Sequence, residues 1–252
     1  STAERGRTGG QRRGMRRRNR RHRRVGSPLL ATAAAVAAVL SLGSSGAAAA
    51  ATSRESAPQL LRAACSATLA ASAFRAQGDV ATGGSSVKVD VYFGSGGELL
   101  TLTQHGNQTF SAIQNGPATY IKGNGPFWRA SGGSGAASLL ANRWIDMTSD
   151  KKTSASFTKE VSKTSILSQC GGGGSATYAG KGTVNGTKVT KLHQNSRNES
   201  NTYYVEGGPN PYILRIAGNP SEKQTGDLVF SDYGVQPDTA APAGAIPISQ
   251  FE

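Results

Sequence analysis

Residues 87–122 read VKVDVYFGSGGELLTLTQHGNQTFSAIQNGPATYIK, and the spacing within them decides the fold. Val87, Val89, Val91 and Phe93 alternate with Lys88, Asp90 and Tyr92, the period-two pattern of a strand with one buried face. Gly94-Ser95-Gly96-Gly97 turns the chain, and Leu100 and Leu102 continue an inward row. Gly106-Asn107 makes the next turn; Phe110, Ala112 and Ile113, then Tyr120 and Ile121, supply two further strands. Strands joined by so few turn residues pair antiparallel, so residues 73–122 are expected to form a meander.

Downstream, residues 126–147, PFWRASGGSGAASLLANRWIDM, hold both tryptophans and the densest large apolar surface of a chain rich in Gly, Ser and Thr. Gly132-Gly133-Ser134 divides this insert into two short helical pieces around which the strands are expected to curve. Trp128 and Trp144 read either as plain core residues or as walls of a cavity open to an apolar ligand. Ser154–Ser168 is expected to be a weakly amphipathic helix, since Phe157 and Val161 share a face but Ile166 falls opposite. Gly171–Gly174 stop it; no Lys-Ser/Thr follows, so this is a connector rather than a phosphate loop.

Strands resume at Ala176, and Val184-Asn185-Gly186-Thr187 is a type I′ hairpin signal. Tyr203–Glu206, Tyr212–Ala217 and Leu228–Tyr233 complete the set, with Tyr212, Leu214 and Ile216 in one row and Leu228 and Phe230 in another. The tail, QPDTAAPAGAIPISQF, reads as a proline-bearing strap without strand capacity of its own.

Upstream of the meander, Ser56 with Gln59 three residues on and Pro58 in the first turn marks a helix start. Leu61, Ala64, Cys65, Thr68 and Leu69 give this helix one apolar face, which points Cys65 at the body. Before it, eleven of the 28 basic residues but only one of the 15 acidic ones fall within residues 1–26, so the rest carries about +3 of the +13. That removes the case for nucleic-acid binding by the folded part. The arginines, the uncharged Leu29–Leu42 run and small residues ending in A-x-A sites read as a signal peptide. Cleavage after Ala49 or Ala51 satisfies the small-residue rule equally, and Met15 makes a usual start for such a signal. The alternative is that Leu29–Ala51 stays as an uncleaved anchor. Either way residues 52–252 are exported as a single domain, to be secreted or held in the cell envelope.

Export puts the only two cysteines, Cys65 and Cys170, where disulfides persist, and a bridge between them is expected. No metal-ligand spacing involves His105 or His193, no G-x-S-x-G elbow is present, and Asp146 and Asp150 read as capping or solvated charges. No enzyme, metal or cofactor is expected.

In order, Ser72-Ala-Phe-Arg-Ala-Gln-Gly78, Tyr120-Ile-Lys-Gly123 with Phe127-Trp128, Trp144, Tyr204-Val205, Pro211-Tyr-Ile-Leu-Arg-Ile216 and Phe230-Ser-Asp-Tyr-Gly234 make the chain resemble the LolA-like, LppX/LprG-type lipoprotein family of actinobacteria. The resemblance covers roughly residues 57–251. It implies an α+β fold, a strongly curved antiparallel half-barrel sheet with helices packed on its concave face, around a cavity carrying acyl chains of lipids or lipoglycans. The chain departs from the family in lacking a lipobox cysteine after the signal. The expected cavity is bounded by Trp128, Leu139, Leu140 and Trp144 of the insert and by Val89, Val91, Leu100, Leu102, Phe110, Leu214, Ile216 and Phe230 of the strands. A monomeric, non-enzymatic lipid carrier is the first reading; an envelope protein-interaction or stress-sensor module on the same scaffold is the alternative.

Overall fold

The computed structural model describes residues 55–82, 85–152, 154–155, 162–168, 170, 175–195, 200–220 and 224–251. The expected signal segment 1–51, the middle of the helix expected over 154–168, and the glycine run 171–174 lie outside the described residues.

The first helix, α1, is Ala57–Ala70. Its capping box is formed as the sequence predicts: the backbone N–H of Ser56 donates to Gln59 Oε1 at 3.0 Å. Leu61, Ala64, Cys65 and Thr68 are buried along one face. The meander follows as β1 (Phe74–Thr82), β2 (Ser85–Phe93), β3 (Glu98–Gln104), β4 (Gln108–Asn115) and β5 (Ala118–Gly123), each antiparallel to the next.

The insert forms α2 (Gly125–Leu140), broken at Gly133, whose φ of 79° and ψ of −172° belong to no helix. Two residues, Ile145–Asp146, then make β6 against β5. In the next stretch Lys163–Ile166 form a helix, α3, capped where Ser162 Oγ accepts the N–H of Ser165 at 3.1 Å. The second half consists of β7 (Ser175–Val184), β8 (Thr187–Asn195), β9 (Ser200–Glu206), β10 (Ile213–Gly218) and β11 (Gln224–Ser231). Asn185 and Gly186 take φ of 47° and 82°, as the type I′ turn between β7 and β8 requires.

All strands join one sheet in the order β12-β6-β5-β4-β3-β2-β1-β11-β10-β9-β8-β7, where β12 is Ile246–Pro247. The ladder is antiparallel except for β12, which pairs parallel with β6 through Ile246 and Ile145. The tail therefore contributes a strand, contrary to the expectation of a strap without one: Ile246 N–H donates to the Trp144 carbonyl at 2.9 Å and extends the ladder at its edge. The α+β class and the antiparallel sheet stand. The expected strong curl does not: the sheet is open, with β12 at one edge and β7 at the other, and is not strongly curled.

The main core gathers α1 residues with Phe74, Ala76, Val91, Phe93, Leu100, Leu192, Tyr203, Val205, Ile213 and Phe230 from the sheet, and Leu167 at the end of α3. Cys65 and Cys170 are joined as a disulfide, with Cα atoms 5.8 Å apart, tying α1 to the segment after α3. Two bidentate ion pairs cross the strands of the opposite face. Arg75 donates to Asp90 at 2.8 and 2.7 Å, and Arg215 to Asp227 at 2.7 and 2.5 Å. Arg75 and Arg215 are each held above the ordinary arginine value, chiefly by these bonds.

Candidate functional site

Strand register sets the inward residues in rows across the sheet. One row runs Phe110, Leu102, Val89, Gly78, Leu228, Ile216, each the cross-strand partner of the next from β4 to β10. Its apolar side chains are partly buried against the main core rather than sealed within it. At the strand spacing of about 4.8 Å, the row is about 24 Å long. Gly78 stands in its middle because a Cβ there would lie 1.8 Å from the carbonyl oxygen of Asp227 on β11. A continuous, half-covered apolar strip is the kind of surface that acyl chains or apolar side chains seek.

Each end of the row has a helix over it. At the β4 end, Phe127 of α2 packs on Phe110 with ring centroids 5.1 Å apart, and Trp128 meets Phe127 edge-on at 5.1 Å. Asn124 fixes this end of α2: its Oδ1 accepts from Phe127 N–H at 2.9 Å, and its Nδ2 donates to the Asn107 carbonyl at 2.6 Å. Gly123, opposite Phe110, makes room, since a Cβ would sit 2.3 Å from Phe127 Cδ1. Trp128 Nε1 is buried there without a hydrogen-bond partner among the described residues. At the other end, Ile216 pairs with Tyr203, which is buried beside the α1 face.

The residues expected to bound a cavity separate into groups. Val91, Leu100 and Phe230 are sealed in the core, whereas Val89, Leu102, Phe110 and Ile216 form the half-covered row. Trp128 closes one end of it. Leu214 is elsewhere, in a second cluster with Val184 and Val189. The β-bulge between Ile213 and Arg215 breaks the alternation that the sequence suggested for Tyr212, Leu214 and Ile216. Leu139 is 56% exposed on the outer side of α2, and Leu140 is half-buried near its end. Trp144 lies under Lys122, whose Nζ is 4.7 Å from the ring centre. Lys122 alternates with the inward Ile121, so Trp144 belongs to the other face of β5.

A row the sequence reading passed over lies further along the same inward face. Phe74, Phe93, Glu98, Gln114 and Thr119 are successive cross-strand partners from β1 to β5. The signal was present in the sequence, because Glu98 stands two residues before Leu100 and must share its face. Burial raises the Glu98 carboxyl to about 7, against a smaller opposing effect of Lys163. Lys163 is in turn lowered by desolvation; its ammonium donates to the Ala71 carbonyl at 2.6 Å and lies 5.5 Å from the centre of the Phe74 ring.

Among the described residues, the histidine and aspartate that the sequence singled out have local polar partners. His193 contacts two hydroxyls, Thr202 Oγ1 through Nδ1 and Ser200 Oγ through Nε2, both at 3.3 Å, so a hydroxyl stands where a triad needs a carboxylate. Asp146 caps the following turn through Thr148 N–H at 2.9 Å. Among the described residues no group of three or more His, Cys, Asp or Glu is placed to hold a metal, and no helix is long and apolar enough to cross a membrane.

No family model and no curated protein matches the chain. Among solved structures it is similar to the lipoprotein LppX of Mycobacterium tuberculosis, with 16% identity and a TM-score of 0.46, over 73% of this chain and 100% of that one. It is similar to MucB with 14% identity and a TM-score of 0.41, over 74% of this chain and 63% of that one, so it spans less than two thirds of MucB. A LolA superfamily protein of Nitrosomonas europaea is similar at 11% identity and a TM-score of 0.26, over 70% of this chain and 92% of that one.

Proposed function

We propose that the chain is a non-enzymatic carrier of lipid or lipoglycan acyl chains in a bacterial cell envelope. The supporting observation is the row Phe110, Leu102, Val89, Gly78, Leu228, Ile216: an apolar strip across six adjacent strands, half covered, with a helix over each end. Moving an acyl chain from water onto such a strip is favourable by about 0.8 kcal/mol per buried methylene, which is enough to carry a long chain without any reaction. The Cys65–Cys170 disulfide fits a compartment outside the cytoplasm.

The test is gentle purification from an envelope or culture fraction, organic extraction, and mass spectrometry of what is released. Stoichiometric acyl lipids are the expected result. An empty protein that also takes up no offered lipid overturns the reading in favour of the interaction module, for which the open ladder edge of β7 and its exposed Tyr178 are the available surface.

A further inference from the structure

Between Glu98 and Asp146 the sequence holds no acidic residue, while Lys122, Arg129 and Arg143 all fall there. The stretch takes in β4, β5 and α2, whose charged side chains are therefore all positive. Asp146, next along the chain, accepts the Thr148 N–H at 2.9 Å.

The same place exposes apolar surface. Ala137 is the buried residue of α2, and Leu139, two positions on, points about 200° round the helix axis from it. At 56% Leu139 is the most exposed large apolar side chain among the described residues. Arg129 and Arg143, on either side of it in the chain, are exposed as well. After α2 the chain turns back onto β5, the Asn142 N–H donating to the Gly123 carbonyl at 2.8 Å. Trp144 then meets Lys122, so a half-exposed indole and an ammonium stand together at this rim.

A solvent-facing leucine and an indole among cations, with no carboxylate between them, have the makeup of a surface that lies in the headgroup layer of a bilayer. The leucine enters the acyl boundary, the indole sits at headgroup depth, and the long basic side chains reach the phosphates. Charge alone would equally suit an acidic protein. Leu139 and Trp144 favour a partner with an apolar layer beneath its anions.

We propose that the α2–β5 rim, with Leu139, Trp144, Lys122, Arg129 and Arg143, docks on the surface of an anionic lipid bilayer. Such docking goes beyond the carrier role and does not require it. Where both operate, it sets the β4 end of the apolar row, at Phe127 and Phe110, next to the bilayer.

Trp128 and Trp144 are the only tryptophans and flank this rim, so their emission reports its contact with lipid. The experiment mixes the chain recovered from the culture or envelope fraction with vesicles of phosphatidylcholine bearing brominated acyl chains, with and without phosphatidylglycerol. Bromine quenches only tryptophans that reach the acyl boundary, so arginines of residues 1–26 still attached could tether the chain without giving the signal. Quenching is expected on the vesicles with phosphatidylglycerol and should weaken as salt is added. Leu139→Glu and the double variant Arg129→Ser/Arg143→Ser should each raise the lipid needed for half-quenching about tenfold or more. Both change exposed side chains, so their thermal midpoints should match wild type. Lys188→Glu, at an exposed position of β8, should quench as wild type does. Equal quenching with and without phosphatidylglycerol, no quenching on either, or a loss in Lys188→Glu as large as in the rim variants overturns the docking surface. Extraction of acyl lipid in the same preparation would then leave the carrier reading standing. Quenching that depends on phosphatidylglycerol, from a protein that neither yields nor takes up acyl lipid, overturns the carrier reading alone.

Discussion

Thr68 of α1 accepts the backbone N–H of Ile213 at 3.1 Å, so a helix side chain completes the hydrogen bonding of a bulged strand. On the other side of the same residue, the Tyr233 hydroxyl donates to the Ile213 carbonyl at 2.5 Å, and its ring stacks on Tyr212 at 4.2 Å. The bulge removes ladder partners from Ile213, and these two side chains replace them. That holds Ile213 in the main core while Leu214 enters the second cluster. Thr68→Val keeps the shape but leaves a buried N–H unpaired. It should cost about 1 to 3 kcal/mol in denaturant unfolding, whereas Thr68→Ser, which retains the acceptor, should cost clearly less.

The disulfide gives a second expectation. Cys65 and Cys170 are 105 residues apart in sequence, and in the chain-entropy account a closed loop of that size stabilises by about 4 to 5 kcal/mol. Adding reductant should lower the denaturant midpoint by a corresponding amount, and thiol labelling of the unfolded, unreduced chain should be negative. Two reactive thiols per chain would refute the bridge.

The fold was legible where a local signal agreed with its tertiary outcome. The alternation Val87 to Phe93, the Asn185-Gly186 turn, the Ser56/Gln59 cap and the inward Cys65 each needed only neighbouring residues to be read. Elements made by distant partners were not legible. Ile145–Asp146 and Ile246–Pro247 are two-residue strands that exist only because β5 offers a free edge and the tail returns to it. The displacement of Leu214 follows from a bulge whose hydrogen bonds are supplied by Thr68 and Tyr233, far away in sequence. For the candidate site, the strand positions Val89, Leu102, Phe110 and Ile216 came out together, because period two fixes a face. Leu139 and Trp144 did not, because the break at Gly133 and the turn after α2 aim the insert in ways that composition cannot convey.

Glu98 makes stability depend on pH with an unusual sign. Its folded carboxyl titrates at about 7, raised from 4.5 first by burial, so between these values the folded chain holds a proton that the unfolded chain has released. This contribution is fully present below about 4.5 and declines as pH rises through 7. Discounted for the carboxyl's partial exposure, it amounts to on the order of 1 to 2 kcal/mol. Lys163, the charged group facing it from α3, acts in a separate alkaline window: lowered by desolvation, it makes stability rise with pH up to its ordinary value. Unfolding free energies of wild type and Glu98→Gln, measured from pH 4.5 to 8, should diverge along this curve. Parallel profiles would show that Glu98 titrates as an ordinary surface carboxylate.

The carrier reading stands or falls at Leu102, which sits between Val89 and Phe110 in the half-covered row and beside sealed Leu100 in the core. A larger ring there fills the strip from below. In a closed core the change from Leu to Trp overpacks at about 1 to 3 kcal/mol; where one side of the residue is open, the ring can lie along the strip and the cost falls toward the lower figure. Leu102→Trp should therefore remain folded while its extracted acyl lipid drops about tenfold or more relative to wild type, since the ring occupies the space of several methylenes. Val235→Ser, at a residue 55% exposed in the tail, serves as the comparison and should load normally. Normal loading of a folded Leu102→Trp would place the acyl chain off this row. Poor folding would show instead that the row is closed core, and would remove the open strip on which the proposed activity depends.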